Sequence, residues 1–329
     1  MSKKYLVTGG SGFIGAALVK ALVNKGNKVS VIDNNSRGSA SKLGEYINKI
    51  KFYKGDIRDY SFVKSCLDGV DSVIHLAYIN GTEFFYEKPD LILDVGIRGT
   101  FNIIDACREK GIKEFVLASS SEAYQTPSII PTPEDVPLVV PDIMNPRYSY
   151  GGGKIACELL AINYGRKYFD RVLVFRPHNV YGADMGFEHV IPQFVMRASE
   201  LILKKNEGII GFSIQGDGTE TRAFVHINDF TDGVLAMLEK GEHLNIYHIG
   251  NNEEIEIKKL VGYIFEYFNR DYVIIPGELK SGGTLRRCPD ISKMKKIGYN
   301  PQISIKKGLP EVIDWYHNYN ITKMNKRGV

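Results

Sequence analysis

Cysteine is scarce in this sequence of 329 residues, and no two cysteines stand close enough to form a C-x-x-C pair. The four that occur are Cys66, Cys107, Cys157 and Cys288. This spacing argues against a zinc site and against a disulfide framework, so we expect free thiols and no metal. Free thiols are typical of a reducing compartment, and the N-terminal residues contain no apolar signal segment. We therefore expect a cytoplasmic protein.

Long apolar runs and a strong charge of one sign are also missing. No stretch reaches the length of a membrane span, so no membrane partner is expected. Lysine and arginine number 42 against 38 acidic residues, a net charge of +4. This small excess suits an anionic ligand but is too diffuse to indicate a nucleic-acid partner.

The first half of the chain alternates short apolar segments with stretches of helical periodicity. The apolar segments predict strands at residues 4–8, 28–33, 51–54, 72–76, 114–119 and 171–176. Helical stretches separate them, notably 88–110 and 148–169. Strands that alternate with helices form βαβ units and a parallel sheet covered on both faces. The pattern predicts an α/β fold of the Rossmann type, with a doubly wound parallel sheet.

After Pro177 this regular alternation ends. Helical stretches then alternate loosely with short strands. The helices are predicted at 190–204, 228–239, 257–268 and 305–318, and the strands at 245–249 and 272–275. We expect residues 1–178 to form one domain, to which some later segments return, and residues 179–320 to form a smaller mixed lobe. The basic residues 321–329 predict a disordered tail. The proline-rich stretch 125–146 predicts a long loop, and such loops are usually functional.

A glycine-rich turn follows the first predicted strand, with the pattern G-x-x-G-x-x-G at Gly9, Gly12 and Gly15. Such glycines let the backbone approach a pyrophosphate, and the next helix directs its positive N-terminal end toward it. Asp33 ends the following strand, where an acid accepts hydrogen bonds from a ribose 2′-hydroxyl and repels a 2′-phosphate. This context favours an NAD site over a purely structural turn.

Further candidate cofactor-binding residues stand at the same turn and at the ends of the next strands. They are Phe13, Ile14, Asn34, Asp56, Ile57, Leu76 and Ala77. Asp56 can reach an adenine amino group, or it can simply cap the helix that follows. His75, at the same sheet edge, is interpreted as a packed residue rather than as an acid or base.

A tyrosine and a lysine, Tyr150 and Lys154, stand four residues apart on one face of a predicted helix. A nearby ammonium lowers the pKa of a phenol, so that the tyrosine can take a proton from a sugar hydroxyl near neutral pH. Ser120 follows the fifth predicted strand at the same sheet edge, where its hydroxyl can bond the same oxygen. The two segments together predict a dehydrogenase site.

With these motifs the chain resembles the extended short-chain dehydrogenases, the NAD-dependent sugar-nucleotide epimerase/dehydratase family. The likeness rests on T-G-G-S-G-F-I-G at 8–15, H-L-A at 75–77, S-S-S-E-A-Y at 119–124, Y-G-G-G-K at 150–154, R-P-H-N-V-Y-G at 176–182, G-D-G-T-E-T-R at 216–222 and R-R-C-P-D-I at 286–291. The resemblance implies NAD as cofactor and a nucleotide-diphosphate sugar as substrate, with residues 179–320 as the substrate-binding lobe. It also implies a homodimer through the helices near 88–110 and 148–169.

The resemblance also implies the roles of individual residues. Tyr150 is the expected base, Ser120 its hydroxyl partner, and Lys154 contacts both the nicotinamide ribose and the tyrosine. The residues expected to grip the diphosphate are Asn179, Arg222 and Arg287, with Arg286 a weaker choice than Arg287. Two positions depart from the family pattern: Gly96 stands where asparagine is frequent, and Gln125 where glycine is.

The resemblance implies that the sugar is oxidised at C4 to a 4-keto intermediate, and the residues leave the fate of this intermediate open. Return of the hydride to the opposite face gives a 4-epimerase, which is our first expectation because such enzymes are frequent in the family. Members that catalyse 4,6-dehydration usually carry Asp-Glu at the position of Ser121-Glu122, whereas the Ser-Glu pair resembles that of uronate decarboxylases and of some GDP-sugar dehydratases. Glu122 is interpreted either as a further acid or base of such a reaction or as a hydrogen-bonding residue at the start of a helix. A non-enzymatic NAD sensor or scaffold is the alternative from another class. His178 and His189 flank the expected pocket and are interpreted as packing residues.

Overall fold

The computed structural model describes residues 2–205, 207–278 and 284–327. Its strands are β1 Lys4–Thr8, β2 Lys28–Asp33, β3 Lys51–Lys54, β4 Ser72–His75, β5 Glu114–Ala118, β6 Arg171–Pro177, β7 Val180–Tyr181, β8 Ile210–Gln215, β9 Thr221–Ala223, β10 Val225–His226, β11 Asn245–Ile249, β12 Glu254–Glu256, β13 Tyr272–Gly277 and β14 Arg286–Arg287. Its α-helices are α1 Phe13–Asn24, α2 Tyr60–Ser65, α3 Thr82–Glu87, α4 Pro89–Leu93, α5 Gly99–Glu109, α6 Ser149–Tyr168, α7 Val190–Lys204, α8 Ile227–Lys240, α9 Ile257–Tyr267, α10 Ser292–Lys296 and α11 Ile305–Arg327.

A parallel sheet of seven strands forms the centre of the molecule, in the order β11-β6-β5-β4-β1-β2-β3. The predicted Rossmann-type α/β fold is therefore confirmed. The six strands predicted before residue 180 are all present, and none differs from its predicted bounds by more than one residue. The central residues of β1, β4, β5 and β6 are buried, which explains why these strands appear as short continuous apolar runs. β2 is buried in part, and the edge strand β3 is only half-buried.

Two apolar layers cover this sheet, one on each face. On one face α1 and α8 pack together, with Leu18, Leu22, Phe230 and Met237 among the buried residues. On the other face the buried side chains come mainly from α2, α5 and α6. The predicted helix 88–110 is divided in the structure into α4, a π-helical turn at Asp94–Arg98, and α5.

A second core lies in the later part of the chain and is built around α7, α9 and α11, with the parallel pair β8 and β13. β11 is not part of this core, because it returns to the edge of the main sheet beside β6. The small sheets β12-β9-β14 and β10-β7 contain other segments of this part of the chain.

The C-terminal segment differs from its prediction. α11 continues to Arg327, so residues 321–327 are helical rather than a disordered tail, and residues 328–329 lie outside the described residues. α11 packs along α7, and the Asn320 side chain donates a hydrogen bond to the Met196 carbonyl at 2.9 Å. Because these contacts hold the helix to residue 320, one further turn or two can follow by propagation.

Candidate functional site

The glycine-rich turn between β1 and α1 is shaped by close backbone contacts. Gly9 has a φ of +72°, and a methyl group there would lie 2.8 Å from the backbone nitrogen of Ala77. A methyl group at Gly15 would lie 2.1 Å from the Gly9 carbonyl oxygen. At Gly12 the nearest atom would be that same oxygen, at 3.3 Å. The turn is therefore compact, most tightly at Gly9 and Gly15 and less so at Gly12, which fits a phosphate cradle at the start of α1.

A cleft of about 600 Å³ opens above this turn, at the carboxyl edge of the parallel sheet. Every predicted cofactor-binding residue outside α6 lines it: Gly9, Gly12, Phe13, Ile14, Gly15, Asp33, Asn34, Asp56, Ile57, Leu76 and Ala77. Carboxyl edges of parallel strands are where ligands bind in doubly wound sheets. The cleft and its lining fit a dinucleotide.

Two acids stand at the β2 and β3 end of the cleft. The Asp33 carboxylate accepts hydrogen bonds from the backbone nitrogens of Ser11, at 2.9 Å, and Asn35, at 2.8 Å. It thereby connects the end of β2 to the glycine-rich turn. Asp56 accepts hydrogen bonds from Arg58 Nη2 at 2.8 Å and Nε at 3.0 Å. These bonds hold the pKa of Asp56 at about 2, so its charge is already matched by Arg58.

A segment of the second lobe, residues 183–189, lies across the cleft, and we call it the strap. Lys42 pairs with the Asp184 carboxylate and donates to the Asp184 carbonyl at 2.8 Å. Arg37 pairs with Glu188 at 3.4 Å. Phe187 packs against three aromatic residues of α11. The strap is thus bound on one side to the cofactor cleft and on the other to the second core.

Tyr150 and Lys154 lie in the first turns of α6, as their spacing predicts. Lys154 is 3% exposed, and its Nζ donates a hydrogen bond to the Ala118 carbonyl at the end of β5, at 2.8 Å. Burial lowers the pKa of Lys154 to about 8. The Tyr150 ring stacks on Phe85, with centroids 5.1 Å apart. Burial raises the pKa of Tyr150, while the Ser120 hydroxyl lowers it.

Ser120 begins a short 3₁₀ turn, Ser121–Tyr124, directly after β5. Its Oγ accepts a hydrogen bond from the backbone nitrogen of Glu122 at 3.1 Å, which is the usual role of a serine at a helix N-terminus. The turn is anchored from behind by a buried ion pair between Glu158 and Arg176, with an Nη2–Oε2 distance of 2.7 Å. Ser119 donates a hydrogen bond to the same glutamate.

Three consecutive glycines between Tyr150 and Lys154 let α6 approach its neighbours. A methyl group at Gly151 would lie 2.8 Å from the Glu122 carbonyl oxygen, and one at Gly153 would lie 2.2 Å from a tyrosine hydroxyl. At Gly152 the closest atom, a methyl of Val140, would be 3.3 Å away. Glycine destabilises a helix interior by about 1 kcal/mol relative to alanine, so each glycine here needs a structural reason. Close contact supplies that reason at Gly151 and Gly153.

Glu122 lies among three arginines. Its carboxylate pairs with Arg287, and Arg147 and Arg222 are close enough to act on it. Burial would raise the pKa of Glu122, but the three guanidinium groups outweigh burial and hold that pKa below its usual range. The carboxylate is therefore ionised near neutral pH.

The residues expected at the diphosphate are brought together by the small sheet. Arg222 and Arg287 are register partners in the parallel strands β9 and β14. Arg222 donates to the Thr284 carbonyl at 2.6 Å, and its pKa falls to about 10, first through burial and then through the charge of Arg287. The Asn179 amide donates to the Ala223 carbonyl of β9 at 2.9 Å. Two like charges side by side favour an anion between them.

Arg286 is directed elsewhere. Its guanidinium donates to both carboxylate oxygens of Glu254, at 2.7–3.0 Å, and its side chain is 52% exposed. Successive residues of a strand point to opposite faces, so Arg286 and Arg287 have different partners.

Of the histidines singled out in the sequence, His75 and His178 are buried and His189 is half-buried. His75 bonds the Thr8 hydroxyl at 2.7 Å and the Thr100 hydroxyl at 3.0 Å, and burial lowers its pKa to about 3. It is a packed neutral residue. Burial also lowers the pKa of His178 and His189. His189 lines the cofactor cleft.

Gln125, one of the two departures from the family pattern, occupies a conformation that favours glycine, with a φ of +55°. Its amide nitrogen donates to the Glu122 carbonyl at 2.6 Å, and its own carbonyl accepts a bond from Thr284 at 3.2 Å. Two bonds thus offset the backbone strain, on the order of 1–3 kcal/mol. The side chain closes the turn after β5, and the backbone carbonyl joins that turn to the segment before β14.

Four residues of the site are missing from the sequence analysis: Arg37, Lys42, Tyr78 and Arg147. Arg147 stands one helical turn before Tyr150, and Tyr78 directly follows H-L-A, so position relative to a motif could have indicated both. Arg37 and Lys42 contact a strap that is distant in sequence, and nothing in the sequence indicates that contact.

The described residues offer neither a metal site nor a membrane-spanning helix. Within the described ranges, no group of three or more histidine, cysteine, aspartate or glutamate side chains could hold a metal ion. No helix there is both long and apolar enough to cross a membrane. The four cysteines are free and buried.

Comparison with known proteins places this geometry in a family. Residues 5–250 match the model of the NAD dependent epimerase/dehydratase family. A putative UDP-glucose 4-epimerase of Methanocaldococcus jannaschii is 32% identical over 323 residues, 96% of this chain and 99% of that protein. A UDP-N-acetyl-alpha-D-glucosaminuronate decarboxylase of Bacillus cytotoxicus is 29% identical over 96% of this chain and 98% of that protein.

Solved structures agree with this result. The crystal structure of a double mutant of DesIV, a dTDP-glucose 4,6-dehydratase of Streptomyces venezuelae with NAD bound, has a TM-score of 0.83. It is 27% identical, and the alignment covers 95% of this chain and 96% of that one.

Proposed function

Because the chain belongs to the NAD-dependent epimerase/dehydratase family, we propose that it oxidises the sugar of a nucleoside-diphosphate sugar at C4 and returns the hydride to the opposite face, as a 4-epimerase. That it is an NAD-using enzyme of the nucleotide-sugar epimerases, dehydratases and decarboxylases follows from the family itself. A non-enzymatic sensor or scaffold is therefore set aside. The exact reaction is our proposal.

One observation carries the proposal: Ser120, Tyr150 and Lys154 meet at the carboxyl edge of the sheet, beside the cofactor cleft. The Tyr150 phenolate takes the proton of the C4 hydroxyl, and Ser120 holds the same oxygen by a hydrogen bond. After the C4 ketone has turned its other face, Tyr150 gives the proton back. NAD held in the cleft would supply the acceptor and later the donor of the C4 hydride, together with a positive charge beside the phenol.

Tyr150 needs a positive charge nearby, because burial raises the pKa of its phenol and keeps it protonated. The Lys154 ammonium lies 5.8 Å from the centroid of the Tyr150 ring. An opposite charge at that range favours the phenolate. Lys154 still has two N–H donors besides the one given to Ala118, and we assign them to the cofactor ribose and to Tyr150.

Cofactor choice follows from the lining of the cleft. Gly9, Gly12 and Gly15 would hold the pyrophosphate at the start of α1, and Asp33 would accept the ribose hydroxyls. Because Asp33 is an acid, a 2′-phosphate would be repelled, so NAD is preferred over NADP. We further propose that residues 1–178 form the NAD-binding domain, to which α8 and β11 return. The rest of residues 179–320 would form the substrate-binding lobe.

Arg222, Arg287 and Asn179 would grip the substrate diphosphate. The two arginines are register neighbours, and guanidinium forks match phosphate oxygens. Arg287 is at present paired with Glu122, so substrate binding would exchange or share that partner.

The state of Glu122 bears on the reaction type. A 4,6-dehydratase needs a base that removes the C5 proton and an acid that releases the C6 hydroxyl. An ionised Glu122 can be that base but is a poor proton donor, and Ser121 stands where dehydratases usually carry an aspartate, so the acid is the missing group. A 4-epimerase needs no second acid or base.

A uronate decarboxylase is the second candidate, and the Glu122–Arg287 pair favours it. In that reaction the 4-ketone lets the C5 carboxylate leave as CO₂, a proton is added at C5, and the hydride then returns to C4. An arginine beside the sugar can bind the carboxylate that leaves. The Bacillus cytotoxicus relative is named as a decarboxylase of this kind.

Turnover in D₂O separates the candidates. A 4-epimerase leaves every sugar carbon unlabelled, because the hydride leaves and returns without exchange with solvent. A decarboxylase or dehydratase takes up deuterium at C5, where a solvent proton is added. Proton NMR of products from a panel of UDP-, GDP-, CDP- and dTDP-sugars and uronates would show both the substrate and the label. Deuterium at C5 with loss of CO₂ would contradict the 4-epimerase proposal and establish the second candidate.

We propose that the enzyme is a homodimer through the helices near 88–110 and 148–169. Phe101 on α5 is 40% exposed and Leu159 on α6 is 61% exposed, and these are large apolar side chains for a free surface. Leu159→Glu would give a monomer in analytical ultracentrifugation, whereas an unchanged dimer would place the interface elsewhere. A cytoplasmic location stays a prediction from the free thiols.

A further inference from the structure

Tyr78, which directly follows the H-L-A motif after β4, packs onto both members of the Tyr150–Lys154 pair. The Lys154 Nζ lies 3.8 Å from the centroid of the Tyr78 ring. The edge of the Tyr150 ring meets the Tyr78 ring at 85°, with centroids 5.2 Å apart. On its other side the ammonium donates to the Ala118 carbonyl. The cation is thus held between an aromatic face and one carbonyl oxygen.

Two helix glycines provide the space for this ring. A methyl group at Gly96, in the π-helical turn, would lie 2.3 Å from Tyr78 Cζ and from its hydroxyl oxygen. A methyl group at Gly153 of α6 would lie 2.2 Å from the same hydroxyl oxygen. Glycine is unfavourable in both helical settings relative to alanine. The departure of Gly96 from the family's asparagine therefore coincides with a tyrosine that needs the vacated space.

The hydroxyl of Tyr78 is not the active part. It is buried without a hydrogen-bond partner among the described residues, and burial raises its pKa, so it stays neutral. The ring face is the part that touches the ammonium. An aromatic face attracts a cation through its quadrupole, and it has no negative charge that would repel the Tyr150 phenolate, as a carboxylate would.

We propose that Tyr78 is a positioning residue whose ring face holds the Lys154 ammonium in place and keeps it charged beside Tyr150. The proposal rests on the proposed function, because it assumes that Lys154 and Tyr150 act as a pair. Its closing experiment includes cofactor binding, which does not require turnover.

The other groups that face Lys154 set the background for a pH experiment. Cys157 and Glu158 of α6 raise the pKa of Lys154, but less than burial lowers it. His75 of β4 interacts with Lys154 while remaining neutral. None of these groups changes when the ring at position 78 is altered. A shift of the alkaline limit of activity therefore reports on the ring.

The test replaces Tyr78 with aromatic side chains of decreasing quadrupole. Tyr78→Phe should keep kcat within about twofold, because the ring face is retained. 3,5-Difluorophenylalanine and 3,4,5-trifluorophenylalanine at position 78 should lower kcat stepwise at nearly constant KM. They should also move the alkaline limb of the kcat–pH profile to lower pH by about 0.5–1 unit, the size of a desolvated cation–π contact. Tyr78→Leu should show the full effect.

Matched glycine variants check the packing. Gly153→Ala should displace the ring and reproduce the loss seen in Tyr78→Leu, whereas Gly152→Ala, one position earlier on the same helix, should stay near the wild type. Thermal unfolding shows that each variant is folded. If Tyr78→Leu does not fold, the fluorinated series still decides, since those rings nearly keep the shape of phenylalanine.

NAD binding by calorimetry across pH 7–10 supplies the readout that is independent of turnover. The pH at which affinity falls should decrease along the same fluorinated series. If that pH and the kcat profile are constant along the series, or if Tyr78→Phe loses tenfold in kcat, the proposal is wrong. If no nucleotide sugar is turned over but the NAD series shifts, the proposed function fails and the role of Tyr78 on Lys154 stands.

Discussion

The cofactor cleft and the substrate side are built in different ways. The cleft relies on backbone and on glycines, with Gly9 and Gly15 in contacts that no side chain permits, and such a backbone shape has little freedom to rearrange. The substrate side relies on charged side chains that neutralise one another, above all Glu122 with Arg287. The first is preorganised, whereas the second must exchange partners when an anion arrives. Substitutions in the cofactor cleft should therefore change binding alone. Substitutions on the substrate side should change both binding and catalysis.

The largest effect is expected where the two regions meet. Tyr150→Phe should lower kcat by at least about a hundredfold, the scale of a general base, and leave NAD affinity nearly unchanged. Single-turnover assays and calorimetry measure the two quantities. Tyr164→Phe, on the same helix but away from the cleft, is the control. If Tyr150→Phe keeps most of its activity, the base is another residue.

On the cofactor side, Asp33→Ala should weaken NAD binding by roughly 1–3 kcal/mol, because the ribose hydroxyls lose their acceptor. The affinity for a nucleoside diphosphate should not change, since that ligand binds in the other region. Calorimetry with each ligand measures both. Tighter binding of NADP than of NAD by the unmodified protein would contradict the role of Asp33.

On the substrate side, Arg287→Ala should raise KM about tenfold, because a charge-assisted contact to the diphosphate is lost. It should also change kcat, since Glu122 is left buried beside fewer cations. Arg286→Ala is the matched control, being exposed and paired with Glu254, and should behave as the wild type. Equal increases of KM in the two variants would contradict a specific contact between Arg287 and the diphosphate.

The smallest expected effect is on stability and depends on pH. The pKa of Lys154 in the folded protein, about 8, lies below its unfolded value. The unfolded chain therefore binds more protons between these two values, and wild-type stability rises as the pH rises through that window. Lys154→Met removes the cost of burying the charge, so it should stabilise the apo protein by about 1–3 kcal/mol at pH 7.

That advantage of Lys154→Met should shrink between pH 8 and pH 10.5. Urea unfolding at several pH values measures it, with the exposed Lys167→Met as control. A constant difference between wild type and variant across this range would show that the pKa of Lys154 is the same in the folded and the unfolded protein, so that burial does not lower it.

The sequence was sufficient for the parallel sheet and the cofactor cleft but not for the substrate side. The strands and the glycine-rich turn follow local rules, apolar runs and spacing, and local rules are visible in one sequence. The pairing of Glu122 with Arg287 joins residues 165 positions apart, and no local pattern encodes it. The fit of Tyr78 against Gly96 and Gly153 is a packing relation among three separate segments. The helical ending of α11 depends on its contact with α7.

The strap has a consequence for how the enzyme would work within a cell. With NAD bound in the cleft as proposed, its pairs, Lys42 with Asp184 and Arg37 with Glu188, would have to separate for the strap to move off the dinucleotide. In the proposed reaction the hydride is given back in the same cycle, so no exchange with free dinucleotide is required. A molecule retained in this way behaves as a prosthetic group. Turnover would then be insensitive to the cellular ratio of oxidised to reduced NAD.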